Sequence, residues 1–164
     1  MIWSFPQIIG YVGFIVSITA FLQKKDISLV ILNAAECLVL ALHFYLLDNN
    51  TAMVILLIAA SRNIVSLYVK STRVAVFFVI LGITLGIYTL KHWYSCFTIL
   101  AQVVSTIALF TCKGISLRLA FCFGSTCWII NNIFTGSIGG IAVEIFVILA
   151  NITTIIRLLK DHKT

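Results

Sequence analysis

Charge is what this chain has least of. Only 10% of its 164 residues are charged and five are acidic, whereas a soluble domain carries roughly 25% charged residues to face water. That shortage excludes an ordinary soluble domain. Segments of about ten residues with alternating polarity are also lacking, which excludes an outer-membrane barrel. Cysteine is present but unorganised. Cys37, Cys96, Cys112, Cys122 and Cys127 lie in apolar stretches, are odd in number and form no C-x-x-C pair. Neither a disulfide framework nor a zinc site is indicated, and they read as small buried hydrophobes. No phosphate-binding Walker motif, no H-E-x-x-H and no paired aspartates occur, so the chain is expected to be neither an enzyme nor a cofactor or metal protein. The start, MIWSFPQII, lacks the basic region of a cleavable signal, so the first apolar run is expected to be retained as a helix.

What is abundant is hydrophobicity: 62% of residues, with a mean hydropathy of +1.15. The apolar residues come in long blocks, and about 20 of them in a helix cross a ~30 Å hydrocarbon core. Backbone in lipid must satisfy its own hydrogen bonds, so the class is an all-α polytopic membrane protein. Seven spans are predicted over 5–22, 27–47, 51–69, 74–90, 94–112, 115–135 and 138–158, broken by QKKD, DNN, KSTR, KHW, KG and TGSIGG. Breaks this short make consecutive helices antiparallel neighbours. The loops at one end carry Lys24, Lys25, Lys70, Arg73 and Lys113, with Arg118, Arg157, Lys160 and Lys163 near them; the other end has only Lys91. By the positive-inside rule the basic end is cytoplasmic, the N-terminus outside and the C-terminus inside. The +6 formal charge is thereby a topology signal, with the lipid bilayer rather than nucleic acid as partner.

The chain also repeats itself. VSITAFLQKKDISL at Val16–Leu29 aligns without gaps to VSTIALFTCKGISL at Val104–Leu117, and the same offset of 88 residues superposes Asn63-Ile64 on Asn151-Ile152. A three-helix unit ends on the side opposite its start, so a second copy in the same orientation needs one extra crossing. The apolar span VAVFFVILGITLGIYTL at 74–90 supplies it. The predicted plan is two parallel three-helix repeats, 1–71 and 93–164 with a short cytoplasmic tail, joined by a linker helix at 72–92. Parallel repeats about an axis along the membrane normal are a known transporter plan.

AQVVSTIALFTCKGIS at Ala101–Ser116 resembles the PQ-loop motif of the SWEET, MtN3 and PQ-loop superfamily, above all in K-G-I-S. VSTIALFTCKGISLR and WIINNIFTGSIGGIAVE are similar to the YgjV family of bacterial inner-membrane proteins, over nearly the whole chain. The resemblance implies a SWEET-like 3+1+3 fold in a bacterial inner membrane. The sequence departs from the motif where its prolines belong: Ala101 precedes Gln102 and Gly13 precedes Phe14, and Pro6 is the only proline. The resemblance implies that those prolines serve as hinges, and they are missing here, although glycine can also loosen a helix.

Polar residues inside spans are costly and face a bundle interior or cavity. Glu36 and Arg62 each lie thirteen residues from Asn49, which puts them at one depth in an antiparallel hairpin. The second repeat has Gly124 and Ala150 there, so both charges are missing together. An ion pair is expected, acting as a gate, as a substrate contact or as a structural pair that sets packing. Asn33, Glu36, Leu40 and His43 share one stripe of the second helix. The sixth carries Phe121, Ser125, Trp128 and Asn132, with Asn131 aligned to His43. Asn63 and Asn151 fall at similar depth, and Glu144 lies seven residues before Asn151 on the same face.

Amides that donate and accept, an indole that stacks and a few hydroxyls suit a neutral polar solute such as a sugar. The candidate substrate-binding residues are Asn63, Asn151, Trp128, Asn132, Asn131 and Ser125; Glu36, Arg62, Glu144 and His43 are candidates for gating. The bland alternative is that Asn and Ser bond across helices as packing glue, and His43 reads as an interhelical bond rather than a ligand. The functional expectation is a small facilitator or secondary transporter, working as a monomer or homo-oligomer by alternating access. A vitamin-precursor or nucleoside transporter of similar plan is the close variant. A non-transporting receptor or assembly protein is the alternative of another class.

Overall fold

A computed structural model describes residues 4–21 and 26–161 of the chain. Among them are seven α-helices: α1 Phe5–Phe21, α2 Asp26–Leu46, α3 Asn50–Tyr68, α4 Thr72–Tyr88, α5 Cys96–Thr111, α6 Gly114–Thr135 and α7 Ile138–Asp161. A single 3-10 turn, Trp93–Ser95, leads into α5. Every predicted span is matched by a helix, and the breaks among the described residues are short polar segments. The first break, with Lys24 and Lys25, and the tail with Lys163 lie outside the described residues.

The ends follow local chemistry. Asn49 caps α3, its side chain accepting from the Ala52 amide at 3.0 Å, and Ser71 caps α4 by accepting from the Arg73 amide at 3.3 Å. Such caps satisfy amides that the first helical turn leaves open. Helix α6 stops at Gly136, whose φ of 75° is the left-handed conformation that glycine adopts without strain.

Helices α1, α2, α3, α5, α6 and α7 close a ring in that order, each packed on the next and α7 back on α1. Helix α4 packs outside this ring, against α3 and α5. The ring closes through small residues. A Cβ placed on Gly139 of α7 would lie 2.4 Å from the Gly10 carbonyl carbon of α1, so the two backbones touch there. In lipid, helices associate by close packing and polar contacts rather than by hiding apolar surface from water, and the buried set accordingly includes Ala34, Ala41, Ala52, Ala59 and Ala60.

The outside is apolar. Ile15, Phe77, Ile80, Ile87 and Leu149 are all more than half exposed, a surface that fits hydrocarbon and not water. Four helices, Asn50–Tyr68, Trp93–Thr111, Gly114–Thr135 and Ile138–Lys160, are long and apolar enough to cross a membrane, and Phe5–Ala20, Val30–Leu46 and Thr72–Tyr88 are shorter apolar helices. Trp93, Tyr94 and Phe134 cluster at one end, with Trp93 stacked edge-on against Phe134 at 4.8 Å, the kind of aromatic belt found at membrane interfaces.

Candidate functional site

The ring encloses a cavity of about 540 Å³, within the range of small-molecule sites. All six ring helices except α1 line it, and α4 does not. Its floor, near the α2–α3 and α6–α7 turns, is formed by Phe44, Trp128, Asn132 and Gly140; the lining runs from there to Val30, Leu117, Arg118 and Thr154 at the basic end. Trp128 packs on Phe44 with ring centroids 5.8 Å apart.

Four acidic or basic side chains reach this space: Glu36 on α2, Arg62 on α3, Arg118 on α6 and Glu144 on α7. The expected Glu36–Arg62 ion pair is not formed. Arg62 turns to α5 instead, where Nη1 donates to Thr106 Oγ1 at 2.9 Å, Ser105 Oγ at 3.1 Å and Gln102 Oε1 at 3.5 Å. Its Nη2 donates to Asn63 Oδ1 at 3.2 Å, Asn63 donates to Asn33 Oδ1 at 2.6 Å, and Asn33 donates to Glu36 Oε2 at 3.2 Å. Two amides thus stand between the charges and carry a relay from guanidinium to carboxylate. Equal depth, which sequence spacing predicts, leaves open which way each side chain turns. Ser17, fully buried on α1, lies beside Glu36, and Ser125 lies beside Glu144.

The second half of the ring has its own arginine–amide contact. Arg118 Nη1 donates to Asn151 Oδ1 at 3.2 Å, while Asn151 Nδ2 donates to the Val147 carbonyl at 2.8 Å. The two asparagines matched by the 88-residue offset therefore each accept from an arginine at 3.2 Å. The arginines themselves are not matched: one neighbours Asn63 in sequence and the other comes from a different helix.

Asn63, Asn151, Trp128, Asn132, Ser125, Glu36, Arg62 and Glu144 all line the cavity. Asn131 and His43 do not; they belong to a plug beneath it. Asn131 follows the lining position Ser125 by six residues, which rotates it away from the cavity wall. It accepts there from Asn49 Nδ2 at 2.9 Å. The Asn49 oxygen takes the Ser95 hydroxyl at 3.1 Å, and its amide also donates to Thr135 at 2.9 Å. His43 Nδ1 donates to the Pro6 carbonyl at 2.7 Å, which leaves Nε2 to accept from Ser137 Oγ at 2.7 Å. Gln7 adds bonds to the Gly136 carbonyl and the Ile138 amide. Together these groups tie α1, α2, α5, α6 and the α6–α7 turn at one end of the ring.

Among the lining residues to which the sequence assigns no site role are Arg118, placed near the basic loops; Asn33, on a stripe; and Gln102, in the motif. The 3.6-residue period connects Asn33 to Glu36, and it was the signal available for that residue. Nothing local marks Arg118, whose partner lies 33 positions away. Among the described residues no group of His, Cys, Asp and Glu could hold a metal ion.

Comparison with known proteins bears on the whole chain. The "Inner membrane protein YgjV" of Escherichia coli (strain K12) is 31% identical over 157 residues, which cover 96% of this chain and 86% of that protein. No solved structure matches. The Imp-YgjV family, described as "Bacterial inner membrane protein", matches residues 4–162. Neither description is that of an enzyme. With a ring of apolar helices on one side of the comparison and a match of this extent on the other, the chain belongs to the YgjV family of polytopic bacterial inner-membrane proteins.

Proposed function

We propose that this protein is a transporter that carries a small, net-neutral polar solute across the inner membrane by alternating access. The observation that carries the reading is the cavity at the centre of the ring, apolar over most of its wall with a few polar side chains such as Asn63 and Asn151, plugged at the Asn49 end by the hydrogen bonds of Asn49, Asn131, His43 and Gln7. A site that is sealed on one side and reached from the other is what alternating access requires of each half-cycle. In this reading the segments 1–71 and 93–164 are two parallel three-helix repeats, 72–92 is the linker, and all seven helices cross the bilayer. The order α1-α2-α3-α5-α6-α7 around the ring, with α4 outside, supports that plan. So does the presence of both Asn63 and Asn151 in the cavity wall. The basic end is cytoplasmic by the positive-inside rule, so the plugged end faces outward.

Uptake by proteoliposomes holding the full chain is the test, comparing the native protein with the Asn63→Ala/Asn151→Ala double variant. Accumulation of a polar metabolite that the double variant abolishes supports transport. A folded native protein that moves no member of a panel of sugars, nucleosides, vitamin precursors and amino acids overturns it. Trp128 beside Phe44 favours inclusion of the ring-bearing solutes. Binding without uptake is the outcome expected of a receptor.

A further inference from the structure

The cavity holds two guanidinium and two carboxyl groups, and none of the four forms an ion pair among the described residues. A charge withdrawn from water without a partner costs several kcal/mol, so a ligand that brings the opposite charge stabilises such a group. Two of the four are already satisfied by neighbours. Arg62 is 7% exposed and gives its two terminal nitrogens to four neutral oxygens, its Nε alone being buried without a partner, and Glu36 is joined to it through Asn33 and Asn63. The other two are not. Arg118 makes one hydrogen bond, to Asn151, and keeps its remaining donors, while Glu144 has the Ser125 hydroxyl beside it and the Glu36 carboxyl near enough to act on it through space, and no basic partner among the described residues. Both are half-buried and line the cavity.

Their spacing is informative. Glu144 precedes Asn151 by seven residues of α7, about 10.5 Å along the axis, and the Arg118 head rests on Asn151. The Glu144 carboxyl and the Arg118 guanidinium thus line one cavity at two levels, set by backbone positions roughly 10 Å apart along α7. In a compact amino acid the charged ends are about 3 Å apart by standard bond lengths. A charged hydrogen bond at each end adds about 2.8 Å, so such a solute spans about 8.6 Å, shorter than the backbone rise and within reach of the two flexible side chains.

We infer that the solute is a small zwitterion of amino-acid type, its ammonium held by Glu144 and its carboxylate by Arg118, with Trp128 and Phe44 facing its side chain. The inference rests on the transport reading for its place in a cycle, but the ligand class is tested by binding alone. A solute of this class carries no net charge, so one charge of each sign is what its recognition needs. Separated charges of opposite sign at this spacing also discriminate against sugars, which leave both ions unpaired.

The experiment measures thermal stabilisation of the purified full chain in detergent by the common α-amino acids, β-alanine and glucose. Each amino acid that stabilises is then compared with its deaminated acid and its decarboxylated amine. The expected result is stabilisation by at least one amino acid, with both truncated analogues weaker by about tenfold to a hundredfold. Glu144→Gln should abolish the preference over the deaminated acid, and Arg118→Gln the preference over the amine. These reciprocal losses of discrimination can be read only in folded protein. Stabilisation by glucose and by no amino acid overturns the inference, as does a panel with no stabilising member, or an amino-acid preference that neither variant alters. An amino acid that binds in this pattern yet is not taken up by proteoliposomes upholds the ligand class and overturns transport.

Discussion

The side-chain amide of Asn49 donates to the side-chain oxygen of Asn131 at 2.9 Å, joining the α2–α3 turn to α6 across 82 positions of sequence. Both residues are almost wholly buried, and all four hydrogen-bonding positions of the Asn49 side chain are occupied. One residue therefore caps a helix and bolts the plug.

Asn49→Ala removes the α3 cap and the shorter bonds to Asn131, Thr135 and Ser95, leaving Ser95 and Asn131 only contacts of 3.5 Å. The expected loss is about 1–3 kcal/mol, at the upper range for a cap combined with buried polar groups left open. Thermal or denaturant unfolding in detergent measures it. A loss no larger than that of a lipid-facing control such as Ile80→Ala would contradict the assigned role.

Gly139→Ala should be more damaging than Gly13→Ala. At Gly139 the new methyl meets Gly10 backbone at 2.4–2.8 Å, so α1 and α7 must move apart. At Gly13 it meets the end of the Leu40 side chain at 2.6 Å, which can swing aside. Overpacking of the first kind costs about 1–3 kcal/mol. Equal melting temperatures for the two variants would show that the α1–α7 contact is looser than described.

Replacing Arg62 and replacing Glu36 should be unequal. Arg62→Gln strips α3 of its fork of bonds to Gln102, Ser105 and Thr106, at an expected 1–3 kcal/mol or about that. Glu36→Gln retains an oxygen to accept from Asn33 and should cost less. A direct ion pair would instead make both replacements strongly destabilising, because each would strand a buried charge. Unfolding of the two variants side by side decides.

Outside the membrane, Lys91 donates to Asp48. That bond and the lysine charge hold the Asp48 carboxyl below its ordinary pKa. A depressed carboxylate contributes stability above its unfolded pKa and loses it as pH falls through the folded one. Acidification below the usual aspartate range should therefore release this link between the α2–α3 turn and the segment before α5. The pair is exposed, so the effect is small. Asp48 also has a φ of 56°, which asparagine tolerates well. Asp48→Asn should thus flatten the acid limb of the melting profile without straining the turn; an unchanged limb would mean that other carboxylates set it.

The helices were legible because apolar blocks and short polar breaks are local features, and each predicted span matches a helix to within a few residues. Part of the cavity wall was legible too. The period of 3.6 residues put Asn33, Glu36 and Leu40 on one stripe, and all three line the cavity. The period failed at the stripe's end, where His43 meets Pro6 and Ser137 instead. It failed again at Asn131, one residue from the lining Asn132 but turned into the plug.

Composition and spacing by themselves determined that this is a helical membrane protein and how deep each polar side chain lies, because the rise per residue of a helix is constant. Tertiary structure alone decided which groups meet. The rotation of each helix about its axis is set by packing, here by contacts such as Gly10 on Gly139, and it turned Arg62 towards α5 and brought Arg118 to Asn151. Depth is a property of one helix; a partner is a property of two.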